Sequence, residues 1–324
     1  MFRARRFRAL MIIAFIITFG LSAAAIAAVE KKSQKMKKAK ATPTGVAVLW
    51  REPSDIASRD LLAGPGGEAM KPELSRVTFI EEEKGGWSKK YRVRDAAGRE
   101  WVAKLSKEAQ SETAAVRLLW AVGYLTEINY LAPRVDIEGR GTFENVRFEA
   151  RPKGVKRLDE WQWEKNPFVS RPELQGLKVM MLLLNNWDVK DENNKILQLR
   201  SDQTGRQELH YIISDLGATF GKTGNLPIFW RLTRSRNDPK DYAEAKFVDE
   251  VYKGHVFFHY GGKQQQIFED ITIENVNWIA RLLARLSDKQ ISDAFRAANY
   301  SRKEVDMLTA TVRARINELV NLRG

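Results

Sequence analysis

Leu174-Gln-Gly-Leu-Lys-Val-Met-Met-Leu-Leu-Leu184 runs directly into Asn185-Asn-Trp-Asp188-Val-Lys190-Asp-Glu-Asn193-Asn194. The first stretch reads as a buried helix, or a helix with one polar edge. The second is a polar loop abutting it. Asp and Asn favour turns through their own side-chain hydrogen bonds. Four carboxamides, at 185, 186, 193 and 194, exceed what one tight loop needs, and that surplus points to function.

Outward from this junction the pattern is orderly. Downstream, Ile196–Leu199 and His210–Ser214 read as two short strands joined by a polar turn at Gly205, and the second runs into Asp215-Leu-Gly217. Upstream, short and often alternating runs at 77–80, 90–94, 100–105, 134–137 and 146–150 read as strands. Gly85-Gly86, Gly98, Gly139 and Gly141 punctuate them. One helix, about Glu108 to Val122, interrupts the series and stops at Gly123. The third strand ends in Trp101-Val-Ala-Lys104. Gly217–Gly262 is irregular. Capping boxes at Ser287-Asp-Lys-Gln290 and Ser301-Arg-Lys-Glu304 then predict helices over 273–286, 289–298 and 302–322.

Three elements in this order resemble the protein-kinase-like superfamily. Val-Ala-Lys104 is similar to the lysine motif of the third strand. Asp188-Val-Lys-Asp-Glu-Asn193 is similar to the catalytic loop, and Asp215-Leu-Gly217 to the Asp-Phe-Gly metal motif. The resemblance implies an α+β, two-lobed, kinase-like fold. A small antiparallel sheet lobe with one helix (45–151) would precede a larger, mainly helical lobe (152–324). It also implies ATP and Mg²⁺ as cofactors. Lys104 would hold the α- and β-phosphates, and Glu112 would pair with it, sharing a helix face with Val116 and Leu119. Glu108 is a rival partner. Asp188 would take the acceptor hydroxyl's proton, Lys190 would lie near the γ-phosphate, and Asn193 and Asp215 would ligate Mg²⁺. Gly85 and Gly86 would cover the phosphates, and the run Phe148-Glu-Ala150-Arg151 would meet the adenine.

The departures place the chain closer to the atypical branch, which includes HipA-like toxin kinases, phosphatidylinositol kinases and secretory-pathway kinases. The Gly-rich pattern is reduced to one Gly-Gly pair. Trp187 stands where an Arg normally precedes the catalytic Asp, and no Ala-Pro-Glu follows. Other motifs are set aside. Asp188–Leu199 is no EF-hand, because Lys190 occupies a ligand position and no Gly marks the bend. His255-Val-Phe-Phe-His259 reads as a strand with structural histidines. Trp161 and Trp163 read as packing residues.

Composition bounds the rest. The 324 residues are 44% hydrophobic and 29% charged, with no Cys and 3 His, which excludes disulfide scaffolds, thiolate zinc and Fe–S sites. The net charge of +13 suggests nucleic acid until it is mapped. Four Arg in 1–8 and six Lys in 31–40 account for most of it. Without these and Glu30, 44 basic face 40 acidic side chains, so the body is nearly balanced and nucleic acid is not an expected partner. Residues 1–28 read as a signal peptide, with an Arg-rich start, the apolar run 10–19 and Ala25-Ile-Ala27. The alternative is an uncleaved anchor over 9–29, long enough for about 30 Å of hydrocarbon. Residues 29–44 read as a basic linker. The folded part is therefore expected in the periplasm or secreted, and membrane-bound only if that segment stays. The expectation is an exported phosphotransferase acting on an unknown hydroxyl acceptor, a protein or a small molecule. A catalytically silent binding module and AMP transfer on the same scaffold are the alternatives.

Overall fold

In the computed structural model, residues 43–84, 88–224 and 233–323 are described. The expected signal segment, nearly all of the basic linker, and Gly85 and Gly86 lie outside them. The protein is mixed α+β.

Five strands form a closed barrel in the order β2-β3-β4-β6-β5: β2 (Val77–Glu82), β3 (Lys89–Arg94), β4 (Glu100–Leu105), β5 (Asn129–Glu138) and β6 (Gly141–Ala150). Neighbours pair antiparallel except at the closure, where Val77 and Thr78 of β2 run parallel to Ile137 and Glu138 of β5. The expected sheet is antiparallel, and the closure pair is parallel. The difference comes from length. β5 and β6 are ten residues each, far longer than the four or five that alternation revealed, because Pro133 and the polar residues near the Gly139-Arg140 turn mask the period. A strand that long, with its natural twist, brings its far end back to β2.

Strand parity sorts the side chains. Tyr91, Val93, Trp101, Ala103, Val146 and Phe148 fill the barrel. The opposite parity puts Val102 across from Glu149 and Lys104 across from Arg147 on the outer face. That face is covered by α1 (Ala109–Ala121), which sits where the sequence predicts and buries Glu112 with its apolar stripe. Its stop is built into the chain. Gly123 has φ +100°, and a Cβ there would lie 2.4 Å from the Arg51 carbonyl oxygen, so only glycine fits.

A second sheet follows the order β1-β9-β8-β7: β1 (Val46–Val48), β7 (Lys156–Arg157), β8 (Asn194–Arg200) and β9 (Gln207–Ile213). β8 and β9 form the expected hairpin, and β1 joins it in parallel from the start of the chain. The remaining elements are α2 (Pro172–Leu183), a short α3 (Pro239–Glu244), the hairpin β10 (Val248–Tyr252) and β11 (His255–Phe258), and three helices, α4 (Ile273–Leu283), α5 (Asp288–Arg296) and α6 (Arg302–Asn321); α2 packs on α4, α6 packs on α3, α4 and α5, and α5 packs on α1. Both expected capping boxes are present, and Thr272 with Asn275 forms a third. The strand reading of 255–258 holds. Trp161 and Trp163 are buried edge-to-face with centroids 5.0 Å apart, as packing residues. Among the described residues no helix is long and apolar enough to cross a membrane.

The buried Arg315 of α6 ties this half to the polar loop. Its Nη1 donates to the Leu183 carbonyl at 2.9 Å and to Asn185 Oδ1 at 2.8 Å, and its Nη2 to the Tyr242 carbonyl at 3.1 Å. It caps the end of α2, where carbonyls lack partners. Arg315→Leu should therefore cost about 2–4 kcal/mol of unfolding free energy, since it strands these buried acceptors. The check is the urea midpoint, read at constant m.

Candidate active site

The polar loop is shaped by its carboxamides. Asn185 takes φ +51°, accepts from Arg315 and donates to the Gly221 carbonyl at 2.7 Å. Asn186 Oδ1 accepts from the Asp188 amide at 3.1 Å, and Asn194 donates to the Trp161 carbonyl at 2.9 Å. These three build the turn, so their number is no mark of chemistry, contrary to the sequence reading. Asn193 differs. Its Nδ2 donates to the Asp188 carbonyl at 2.6 Å and to Asp188 Oδ2 at 3.2 Å, which turns its Oδ1 the other way.

The β8–β9 hairpin then brings the two distant motifs together. Asn194 pairs with Ile213, and the Asn193 carbonyl accepts from the amides of Ser214 (2.7 Å) and Asp215 (3.2 Å). Asp215 Oδ1 accepts from the Gly217 amide at 3.1 Å. A Cβ on Gly217 would lie 2.7 Å from the side chain of Glu108, so glycine lets this turn approach α1. There Ser111 Oγ donates to the Gly217 carbonyl at 3.0 Å.

Lys104 comes to the same place from the barrel. Its side chain is 3% exposed, and its Nζ lies 2.9 Å from Glu112 Oε1, 3.0 Å from Glu108 Oε2 and 3.7 Å from Asp215 Oδ1. The expected partner and its rival both bind it, four residues apart on α1. Burial alone would lower the Lys104 pKa, but Glu112, Asp215 and Glu108 outweigh it and raise it, so the ammonium is permanent. Burial likewise opposes charge on Asp215, yet Lys104 and the Gly217 amide hold its pKa below the usual carboxylate value. Burial pushes Glu112 up to about 7 against Arg147 and Lys104.

Lys104, Asp188, Asn193 and Asp215 all line one cleft of about 970 Å³, together with Glu112 and Lys190. Asp188, 18% exposed, has its Oδ2 3.4 Å from Lys190 Nζ and its Oδ1 2.6 Å from Lys263 Nζ. The sequence reading missed Lys263. Its segment docks on the loop because Gly262 admits it: a Cβ there would lie 2.8 Å from the Trp187 Cα, and the Lys263 amide donates to the Trp187 carbonyl at 2.9 Å. The Gly261-Gly262 pair was the one available signal. Ala150 is not brought to this cleft. It lines an adjoining cavity of about 730 Å³, which shares Glu83, Arg151 and Arg157 with the cleft, and its amide donates to the Ile128 carbonyl at 2.9 Å.

The donor set suits Mg²⁺ carried by phosphates. Asn193, whose Nδ2 is spent on Asp188, and Asp215, whose side chain is 46% exposed, both line the cleft and carry hard oxygens. No group of three or more Asp, Glu or His among the described residues could cage a metal unaided. Two protein ligands completed by water and substrate phosphate are the usual habit of this ion.

No family model and no curated protein matches the sequence. Solved structures do. One is a proinflammatory kinase of Helicobacter pylori, CtkA, with TM-score 0.48 and 11% identity over 76% of this chain and 95% of that one. Another is the Rio2 kinase of Chaetomium thermophilum, in an ADP/Mg²⁺-phosphoaspartate complex, with TM-score 0.29 and 12% identity over 76% and 72%.

Beside the cleft, Glu127 and Glu149 share Arg157, whose Nη1 lies 2.5 and 3.4 Å from them. Burial, with the Glu149 charge adjacent, raises Glu127 to about 7. Burial pushes Glu149 the same way, but Arg147, Arg151 and Arg157 hold it well below the carboxylate range. A carboxyl raised on folding penalises the native state above its folded pKa and not below its unfolded one. Glu127→Gln should therefore gain on wild type as pH climbs from about 4.5 to 7, by up to about 1.4 kcal/mol per unit, and the difference should level off above pH 8. Urea unfolding of both proteins across that range measures it.

Proposed function

We propose that the protein is a kinase-like phosphotransferase that moves the terminal phosphoryl group of a Mg²⁺-bound triphosphate, with ATP the expected nucleotide, to a hydroxyl acceptor. The observation that carries this reading is the convergence of Lys104, Asp188, Asn193 and Asp215, from three separate parts of the sequence, on one cleft. The barrel with α1 and the helical half would be its two lobes.

Phosphoryl transfer asks for positioning and charge neutralisation more than covalent chemistry. Lys104, fixed by Glu112 and Glu108, presents a permanent cation to the inner phosphates. Asn193 and Asp215 would hold Mg²⁺, which supplies charge neutralisation along the phosphate chain when bound. Asp188 would orient the acceptor hydroxyl and take its proton. Lys190 and Lys263 flank that carboxylate and would meet the charge on the transferred group. The hydrophobic N-terminal segment supports an exported protein, periplasmic or secreted, with the basic linker between segment and lobes.

One observation favours a catalytically silent binding module. Both Asp188 oxygens are engaged, by Lys263 on one side and by Asn193 and Lys190 on the other, so an acceptor hydroxyl reaches the carboxylate only by displacing a lysine.

Thermal unfolding with MgATP, read beside a transfer assay, decides between these readings. A ligand at a hundred times its Kd adds ~2.7 kcal/mol to stability, so the wild type should shift upward by several degrees and Asp215→Ala should not. Asp188→Asn should keep the shift and lose about 10²–10⁴ in transfer rate. A shift without transfer by the wild type, toward any protein, sugar or lipid hydroxyl, would leave the binding module.

A further inference from the structure

The cleft has two chemically different ends. One holds Lys104, Asp188, Asn193 and Asp215. The other lies along β4 and β6, where a nucleotide's base would be expected, and it is built of paired charges. Arg147 lies 2.9 Å from Glu112 Oε2 and 2.8 Å from Glu149 Oε2. Arg151 also pairs with Glu149, and Arg157 donates through Nη2 to Ser214 Oγ at 2.9 Å. Arg147 and Glu149 are buried.

Recognition of a flat base needs apolar walls and a few fixed polar groups at its edge. Among the described residues such walls are sparse. Among the described residues lining the cleft only Val102 and Trp187 are apolar, and the Trp187 ring already carries the guanidinium groups of Arg234 and Arg236 at 5.3 and 5.7 Å. The described main-chain donors along this end are spent. β6 is bonded on both sides up to Ala150, whose amide is spent on Ile128. The Arg151 amide donates to the Glu100 carbonyl at 3.1 Å, and Pro152 has no N–H. Ala150 and Pro152 border the other cavity, and neither lines this one. A base pressed into this end would desolvate ion pairs and gain no fixed hydrogen bond from the main chain in return.

We infer that the cleft selects its donor by the phosphate chain and not by the base, so that any Mg²⁺-bound triphosphate, down to inorganic tripolyphosphate, is a ligand of the same site. The inference rests on the phosphotransferase reading and deepens it. Lys104, Arg151, Lys190 and Lys263 line the cleft, each on a carboxylate, and would exchange or share those partners for anionic oxygens through charge-assisted hydrogen bonds.

The test is isothermal titration calorimetry of the full-length chain in excess Mg²⁺ with ATP, GTP, tripolyphosphate and adenosine in turn. The three triphosphates should bind with Kd values within roughly threefold of one another, below the tenfold that 1.4 kcal/mol represents. Adenosine should give no heat, and Asp215→Ala should lose all three triphosphates together. ATP binding at least tenfold tighter than tripolyphosphate, or competition by adenosine, would overturn the inference and leave the phosphotransferase reading standing. Tripolyphosphate binding unchanged in Asp215→Ala would place it elsewhere on this basic chain and also overturn it. If no triphosphate binds, both readings fall.

Discussion

An ammonium group cannot be left alone inside a protein, and Lys104 is almost wholly inside this one. Removing such a charge from water costs several kcal/mol unless it is paired and hydrogen-bonded. Its partners come from two places: Glu108 and Glu112 on one turn of α1, and Asp215 at the end of β9. Satisfying one cation therefore fixes α1 against the barrel and draws the turn after β9 toward both. Gly217 lets that turn close on Glu108, and Ser111 bonds it from α1. The same contact that solves a burial problem arranges the groups a triphosphate would need.

The other half of the site depends on a backbone device. The Asn193 carbonyl accepts two amides from the strand end opposite, which locks the loop after α2 to the turn after β9. Arg315 and the carboxamides at 185, 186 and 194 set the loop's path, leaving Asp188 and Asn193 to face the cleft. Rigidity comes from hydrogen bonds outside the cleft, and the side chains within it are held by neighbours of opposite charge.

Much of this could be read along the chain. Strand parity around Trp101-Val-Ala-Lys104 separates the barrel interior from the outer face, and the i, i+4 spacing of Glu108 and Glu112 already offered two partners for one lysine. The capping boxes located α5 and α6, because a cap is local. Other features gave no local trace. The length of β5 and β6 was hidden by Pro133 and polar turn residues. Ala150 is spent on a bond to Ile128, and a ladder partner is not visible in a residue's own neighbours. Lys263 reaches Asp188 from a segment with no periodic pattern.

By itself the sequence determined most of the elements and in what order three chemistry-bearing motifs occur, because helices, strands and turns follow from periodicity and from the conformational limits of Gly, Pro and Asn; it did not show β1, β7, α3 or β10. The N-terminal segment, the charge asymmetry and the absence of cysteine chemistry were also its own. Only the tertiary structure decided which charges neutralise one another. Coulombic pairing acts through space between groups far apart in the chain, so the ring around Lys104, the lysine on Asp188 and the arginine–glutamate wall along β6 became visible only in the folded chain.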